Sequence, residues 1–388
     1  MSYQRSEFRK LKLEKKHYKA VFQSLACRTP KLGYASFQCG ACKDLKFIYR
    51  SCGNRFCAQC GVHLTYKWGR ESLSRLLDIK HHHVVFTLPK PLRHISKLNG
   101  DKLHDLLFKC SNEVMQDWFS KKHKIKPGMF TVLHTAGSDL KYHPHVHMVI
   151  TGGGLRESDM TVVELEKDYL TRQRFIGKLF RQSFIRKLIV LDNSGELIKP
   201  KKWNQNPFGL RKWLGNMNEK HWIISIQKPL RNLEQIVGYV GRYTKRACIS
   251  EYKIESIDSG KIRFKFNDYK KSSRTGPILQ SIKELEYIEF LDQLLQHVPN
   301  QSYRMVRYSG IYCSHYRKYL PVPANKQHQD LIKNEQHEQN EQEWGEFEHL
   351  RKLDIAKGKP DQLICPNCLI EYTFIGIVYP GKSRNHDP

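Results

Sequence analysis

The chain alternates between two periods. HHHVVFTLPKPL (81–92) runs apolar and then meets Pro89 and Pro91, which predicts a strand closed by prolines. FTVLHTAG (130–137) and HPHVHMVITGGG (143–154) predict two more strands, read as neighbours. DYLTRQRFIGKLFRQSFIRKLIV (168–190) has a helical period, HWIISIQKP (221–229) reads as a strand, and LRNLEQIVGYVGRYTKRA (230–247) reads as a helix. YKIESIDSGKIRFKFND (252–268) predicts a hairpin on an Asp-Ser-Gly turn. This mixture predicts an α+β fold, a sheet with helices on one side.

Four segments follow from composition. Residues 1–75 hold six of the eleven cysteines and predict a small metal-binding domain. Residues 80–320 hold the long strands and amphipathic helices. Residues 325–350 are rich in Gln and Glu and read as a polar linker or exposed helix. Residues 351–388 form a C-terminal tail with one CxxC pair. Apolar residues make up 39% of the 388, enough for real cores. The net charge is +28, an excess that folding does not need and that a polyanion would neutralise, nucleic acid first and a membrane surface second. No 18-residue apolar run predicts a membrane span, and the basic N-terminus lacks the apolar core of a secretory signal. Paired cysteines point to metal in a reducing compartment, hence the cytoplasm.

Cys39-x2-Cys42 and Cys57-x2-Cys60 lie fourteen residues apart, which predicts one tetrahedral site of four thiolates for structural Zn2+. Lys43, Lys46, Arg50 and Arg55 flank it. Cys27 and Cys52 are left over and, with His63, could serve a second metal. Cys365 and Cys368 have no second pair nearby; Cys313 and His315 are candidates to complete it.

In a strand, side chains alternate with period two. His143, His145 and His147 therefore share one face, with Val146 on the opposite, buried side. Two imidazoles spaced this way can chelate one divalent ion. An exposed polar face is the alternative reading of the same pattern.

On the helix expected over 230–247, Leu233, Ile236, Val237, Val240 and Ala247 fall on one stripe. Tyr239 and Tyr243, four apart, lie at its rim beside Arg242 and Arg246. A tyrosine hydroxyl is a plausible nucleophile on a DNA phosphate. With a pKa near 10, about one in a thousand is ionised at pH 7, and making the phenolate costs about 4 kcal/mol. Nearby cations would lower that cost, and a metal on the histidines could polarise the scissile phosphate and stabilise charge on its oxygens. The phosphotyrosine product keeps the phosphodiester energy, so rejoining needs no ATP, and the chain has no GxxxxGK[ST] loop.

These features resemble the bacterial rolling-circle insertion-sequence transposases with two tyrosines, in the HUH endonuclease superfamily. The resemblance runs through CRTPKLGY, CGAC…SCGNRFCAQC, HHVVFTLPKPL, LHTAGSDLKYHPHVHMVITGGGL, LFRQSF, YVGRYTKR and RMVRYSGIY. It implies a palm-like antiparallel sheet with the metal histidines, His145 and His147, on a central strand. It implies paired nucleophiles at Tyr239 and Tyr243, and an N-terminal zinc-binding domain on Cys39, Cys42, Cys57 and Cys60, with Cys52 as a further partner. Such enzymes nick one DNA strand at an element's end, attach to the 5′ phosphate and need Mg2+ or Mn2+. Their partners are single-stranded DNA and element-end hairpins, with host replication machinery acting indirectly, no membrane, and a homodimer as one oligomeric form. The implied setting is the bacterial nucleoid.

Some relatives take a third metal ligand from a glutamine four residues after the nucleophile; here that position is Ala247. His143, Asp139 and Gln235 are the local candidates, His143 and Asp139 ahead. Arg242, Lys245 and Arg246 are assigned to phosphates. Two other functions share parts of this pattern: a replication initiator or relaxase-like nickase, and a non-catalytic zinc-finger regulator.

Overall fold

The computed structural model describes residues 11 and 13–320, less 74, 169, 201–208, 219–221, 231, 233–234, 236–240, 242–247, 270 and 273–275, together with 351, 355 and 361–379. The described residues of Leu13–Lys67 and Asn325–Pro388 form one compact unit, and those of Trp68–Ala324 form another. Among the described residues, no helix is long and apolar enough to cross a membrane.

The first unit opens with helix α1 (Lys15–Ala26), followed by β1 (Tyr34–Cys39), β2 (Leu45–Tyr49) and the start of α2 (Ala58–Leu73). β1 and β2 form a hairpin, and its other edge takes β13 (Tyr372–Val378), antiparallel from Tyr34↔Val378 to Cys39↔Tyr372. The C-terminal tail is thus a strand of the N-terminal sheet. Pairing over such a separation leaves no local signal. Phe37, Leu363 and Tyr372 are buried together between these segments. The 325–350 segment lies outside the described residues.

The second unit is built on a five-stranded sheet: β3 (His81–Thr87), β4 (Gly128–Ala136), β5 (Tyr142–Thr151), β8 (Ile224–Ile226) and β12 (Val306–Gly310). Its order is β12-β4-β5-β3-β8, and each neighbouring pair is antiparallel. Pro89 and Pro91 follow β3 as expected, in a short 3-10 turn. β5 is the middle strand and is buried from Val146 to Thr151, which requires cover on both faces.

On one face Val84, Phe86, Met129, Leu133, Val146, Met148 and Ile150 meet α4 (Gly100–His123), α5 (Gln173–Asn193) and α6 (Gly209–Asn218). α5 buries Ile176, Phe180, Phe184 and Leu188, a stripe four residues apart along one helical face. α4 carries Asp101 in its first turn and Lys121, Lys122 and His123 in its last, charges that suit the helix dipole at each end. It ends where Lys124 turns left-handed. A short helix α3 (Arg93–Leu98) precedes α4.

On the other face Phe130, Val132 and Val149 pack with Trp68, Leu76, Leu77, Leu155 and Ile311. The glycines after β5 are required by close backbone approach. A Cβ on Gly153 would lie 2.1 Å from the Val163 carbonyl oxygen, and one on Gly154 2.2 Å from that of Lys126. This permits the small ribbon of β6 (Gly153–Arg156) and β7 (Thr161–Glu164). The expected hairpin at 252–268 forms as β9 (Ile254–Asp258) and β10 (Lys261–Asn267), turning at Ser259 and Gly260, both with positive φ. β11 (Gln280–Glu286) and α7 (Tyr287–Leu295) complete that subsheet around Phe264 and Phe290.

Candidate metal centres

The alternation along β5 sends Val146, Met148 and Ile150 toward the helices and the odd-numbered histidines to the opposite face. Strand pairing then decides which other groups join them. His134 of β4 stands directly opposite His145, and His147 stands opposite Val132. The ligand nitrogens of His134, His145 and His147 lie within 4.8 Å of one another. The His134 Nδ1 to His145 Nε2 distance is 3.3 Å.

Neighbouring groups orient this trio. The His143 carbonyl accepts a 2.6 Å bond from His145 Nδ1, which leaves the Nε2 lone pair for a ligand. On the other side, His83 of β3 places Nε2 2.9 Å from His147 Nδ1, with the two rings stacked. When His147 Nδ1 is the donor in that bond, its Nε2 is left for a ligand in the same way. Burial pushes the His145 imidazole down to about 4, and the neighbouring Arg93 charge adds to this. Burial holds His147 well below the ordinary histidine range, helped by the charges of His145, His83 and His134. At neutral pH both rings are uncharged, the form that binds metal.

His143 and Asp139, the foremost expected third ligands, do not join the cluster; His134 takes that place. His143 shares the face but sits beyond the irregularity between His134 and Ala136, where the β4–β5 ladder slips. Its contribution is the carbonyl that orients His145. Asp139 is engaged instead by Lys141, at 3.0 Å. For Gln235, also considered, the backbone N–H donates 3.0 Å to Asn232 Oδ1. Tyr239, Tyr243, Arg242, Lys245 and Arg246 lie outside the described residues. Reading the residues alone missed His134 and His83. The signal available for His134 was its place in a strand already read as the neighbour of β5. For His83 it was the histidine run that opens β3.

Three imidazole nitrogens are borderline donors. They hold a first-row transition ion such as Mn2+ better than Mg2+, leaving positions for the oxygens of water or phosphate, which suit either ion.

The cysteines fall into two groups of four, not into the single site expected from spacing. Cys27, Cys52, Cys57 and Cys60 form one; Cys39, Cys42, Cys365 and Cys368 form the other. Cys39 and Cys42 therefore do not share a site with Cys57 and Cys60. Cys313 and His315 do not complete the C-terminal pair, and the side chain of His63 lies outside the described residues. In the first group Cys60 Sγ lies 3.4 Å from that of Cys27 and 3.6 Å from that of Cys52. The Cys52 N–H points at Cys27 Sγ and the Asn54 N–H at Cys52 Sγ, each at 3.4 Å, donors that stabilise thiolates. Cys57 and Cys60 stand at the N-terminal end of α2, whose dipole also favours thiolate. Four thiols, two of them buried, are the donor set of a closed structural zinc site.

Four-cysteine clusters and a histidine-bearing antiparallel sheet, in a chain of charge +28, are the features of a transposase with a zinc-binding domain, and two family models match them. The family described as transposase zinc-binding domain matches residues 2–88, and that described as putative transposase matches residues 128–319. The chain belongs to the HUH-type, two-tyrosine rolling-circle transposases with an N-terminal zinc-binding domain. It is 29% identical over 296 residues to the putative transposase y4qJ of Sinorhizobium fredii, covering 75% of this chain and 73% of that protein. It is 29% identical over 313 residues to the transposase for insertion sequence element IS801 of Pseudomonas savastanoi pv. phaseolicola, covering 78% and 72%. No solved structure matches it.

Proposed function

We propose that the chain nicks and rejoins single-stranded DNA at the ends of its element through a 5′-phosphotyrosine intermediate. The observation that carries this reading is the convergence of His134, His145 and His147 on one face of the middle strand pair of the sheet. The family and its transposase relatives support it, as does the palm-like arrangement of an antiparallel sheet with helices behind the histidine-bearing strand.

Tyr239 and Tyr243 are the nucleophiles in this reading. The phenol oxygen of one attacks the phosphorus at the element end. A tyrosyl O–P bond forms, the P–O3′ bond breaks, and a 3′-hydroxyl leaves. The phenolic proton is lost on attack, and the 3′-oxygen takes up a proton as it departs. A divalent cation, Mn2+ or Mg2+, held by the three imidazoles would polarise a phosphate oxygen and neutralise its developing charge. Arg242, Lys245 and Arg246 would hold flanking phosphates. Arg93, whose charge is felt at His143 and His145, adds a cation to the surroundings of these histidines. Reversal of the first step by a second 3′-hydroxyl rejoins the strand without ATP, and two tyrosines let one hold an end while the other attacks. The basic surface suits a single-stranded DNA partner in the nucleoid.

The test is a 3′-labelled single-stranded element end incubated with protein and Mn2+ or Mg2+. An adduct that survives denaturant forms only with metal, and Mn2+ supports it at lower concentration. The Tyr239→Phe/Tyr243→Phe double variant binds the DNA but forms none. An adduct that persists in the double variant, or a parent that binds DNA with metal and never forms one, overturns the reading.

A further inference from the structure

We propose that Cys39, Cys42, Cys365 and Cys368 form a second structural zinc centre, which clamps the C-terminal segment onto the N-terminal sheet. Two of its ligands lie outside the matched zinc-binding segment, residues 2–88.

The four sulfurs lie within 4.8 Å of one another, and Cys42 Sγ is 3.6 Å from Cys365 Sγ across 323 residues of sequence. Zn–S bonds of about 2.3 Å at tetrahedral angles put sulfurs about 3.8 Å apart. All four cysteines are free, and two disulfides would instead draw sulfurs together in pairs at about 2.05 Å.

The second observation is that both halves are the same turn. The Cys39 N–H donates to the Asp44 carbonyl at 2.9 Å, and the Lys43 N–H donates to the Cys39 carbonyl at 3.1 Å. The Cys365 N–H donates to the Ile370 carbonyl at 2.8 Å, and the Leu369 N–H to the Cys365 carbonyl at 2.9 Å. In each turn the residue after the second cysteine is left-handed: Lys43 at φ 60° and Leu369 at φ 57°. A lysine and a leucine adopt that conformation at a cost, and nothing in a plain surface loop calls for it twice. Each turn presents two sulfurs, and each alone is half of a tetrahedron.

The surroundings hold the halves together. Cys39 pairs directly with Tyr372, whose hydroxyl bonds Asp44 in the opposite turn. The Ser36 hydroxyl donates 3.1 Å to the Gly376 carbonyl along the same strand pair. Phe37, Leu363 and Tyr372 form an apolar wall against Cys39 and Cys365. Arg351 makes a two-point pair with Asp361 and a third bond to Glu371, on either side of the C-terminal turn. The first cluster can load from residues 27–60 alone. The second needs both ends of the chain.

The test is metal content of the reduced, full-length protein by elemental mass spectrometry. Two zinc ions per chain are expected, falling to one in Cys365→Ser/Cys368→Ser and to one in Cys27→Ser/Cys52→Ser. With Co2+, the thiolate charge-transfer absorption of the wild type should fall by half in each variant. Mapped alkylation of the unmutated protein covers the case of variants that do not fold. Cys365 and Cys368 should resist iodoacetamide while metal is bound and react after chelation. A wild type with one ion, a Cys365→Ser/Cys368→Ser variant that keeps two, or alkylation of Cys365 and Cys368 at equal rates with and without metal overturns the centre.

Discussion

His104 should make the stability of the histidine-bearing unit fall with acid in a narrow window. Its Nε2 lies 2.8 Å from the Tyr142 hydroxyl, beneath the helix-side face of the sheet. Burial pushes this imidazole down to about 4; Asp101 and Asp105 pull it up, and Arg307 pushes it down. An unfolded histidine titrates near about 6.5. The folded value is the lower one, so the unfolded chain takes up the proton first. The stability contributed by the neutral ring is complete above about pH 6.5 and is lost as pH falls toward 4, with no further loss below. At about pH 5 the unfolded form is mostly protonated and the folded form hardly at all, a difference of about 2 kcal/mol. The perturbation is His104→Gln, whose amide can still reach the Tyr142 hydroxyl but does not titrate. Urea unfolding would be followed by fluorescence of Trp118 and Trp222, both buried in the same core, at about pH 7.5 and about pH 5. Losses common to both proteins, including those from metal-binding residues, cancel in the comparison. The wild type should lose about 2 kcal/mol more than the variant between those pH values. Parallel pH dependence in the two proteins would refute the reasoning.

Three other substitutions probe the sheet from its two faces. His134→Ala removes one of three imidazoles and His83→Ala removes the group that orients His147; calorimetric Mn2+ titration should show affinity weakened about 10–100-fold by the second and by more in the first, and unchanged affinity in either would remove that residue from the site. Phe180→Ala empties a fully buried ring space between Phe86, at 5.0 Å between centroids, and Trp222, at 5.4 Å; it should cost about 3–5 kcal/mol in urea unfolding, and a loss below about 1 kcal/mol would mean that the core refills the space.

The elements most legible in the sequence are those whose partners are near. Alternation locates β3, β4 and β5, and the Asp-Ser-Gly turn locates the β9–β10 hairpin. The strand expected over 221–229 shrinks to Ile224–Ile226, because only three of its residues find a ladder with β3. The longest helix among the described residues, Gly100–His123, escapes a reading by apolar period because His104, Cys110 and Ser111 are among the residues on its buried face. His104 is satisfied there by Tyr142 and Ser111 by the Phe108 carbonyl, partners that a hydrophobic pattern does not register.

The candidate sites follow the same rule with more consequence. A spacing such as HxH or CxxC fixes two donors on one side of one element, and so specifies half of a centre. What supplies the other half is topology. β5 has a neighbour on each side, so β4 can bring His134 into ligand range while β3 brings His83 to orient His147. As an edge strand it would have had one of these and not both. The cysteines make the point at longer range. The fourteen-residue spacing makes Cys57–Cys60 look like the partner of Cys39–Cys42. Yet the β1–β2 hairpin carries Cys39 and Cys42 at its turn, where β13 lies alongside. That strand brings Cys365 and Cys368 with it, and Cys57 and Cys60 go instead to Cys27 and Cys52. The mispairing is the expected error whenever one strand order admits two ways of combining the same half-sites, and only register distinguishes them.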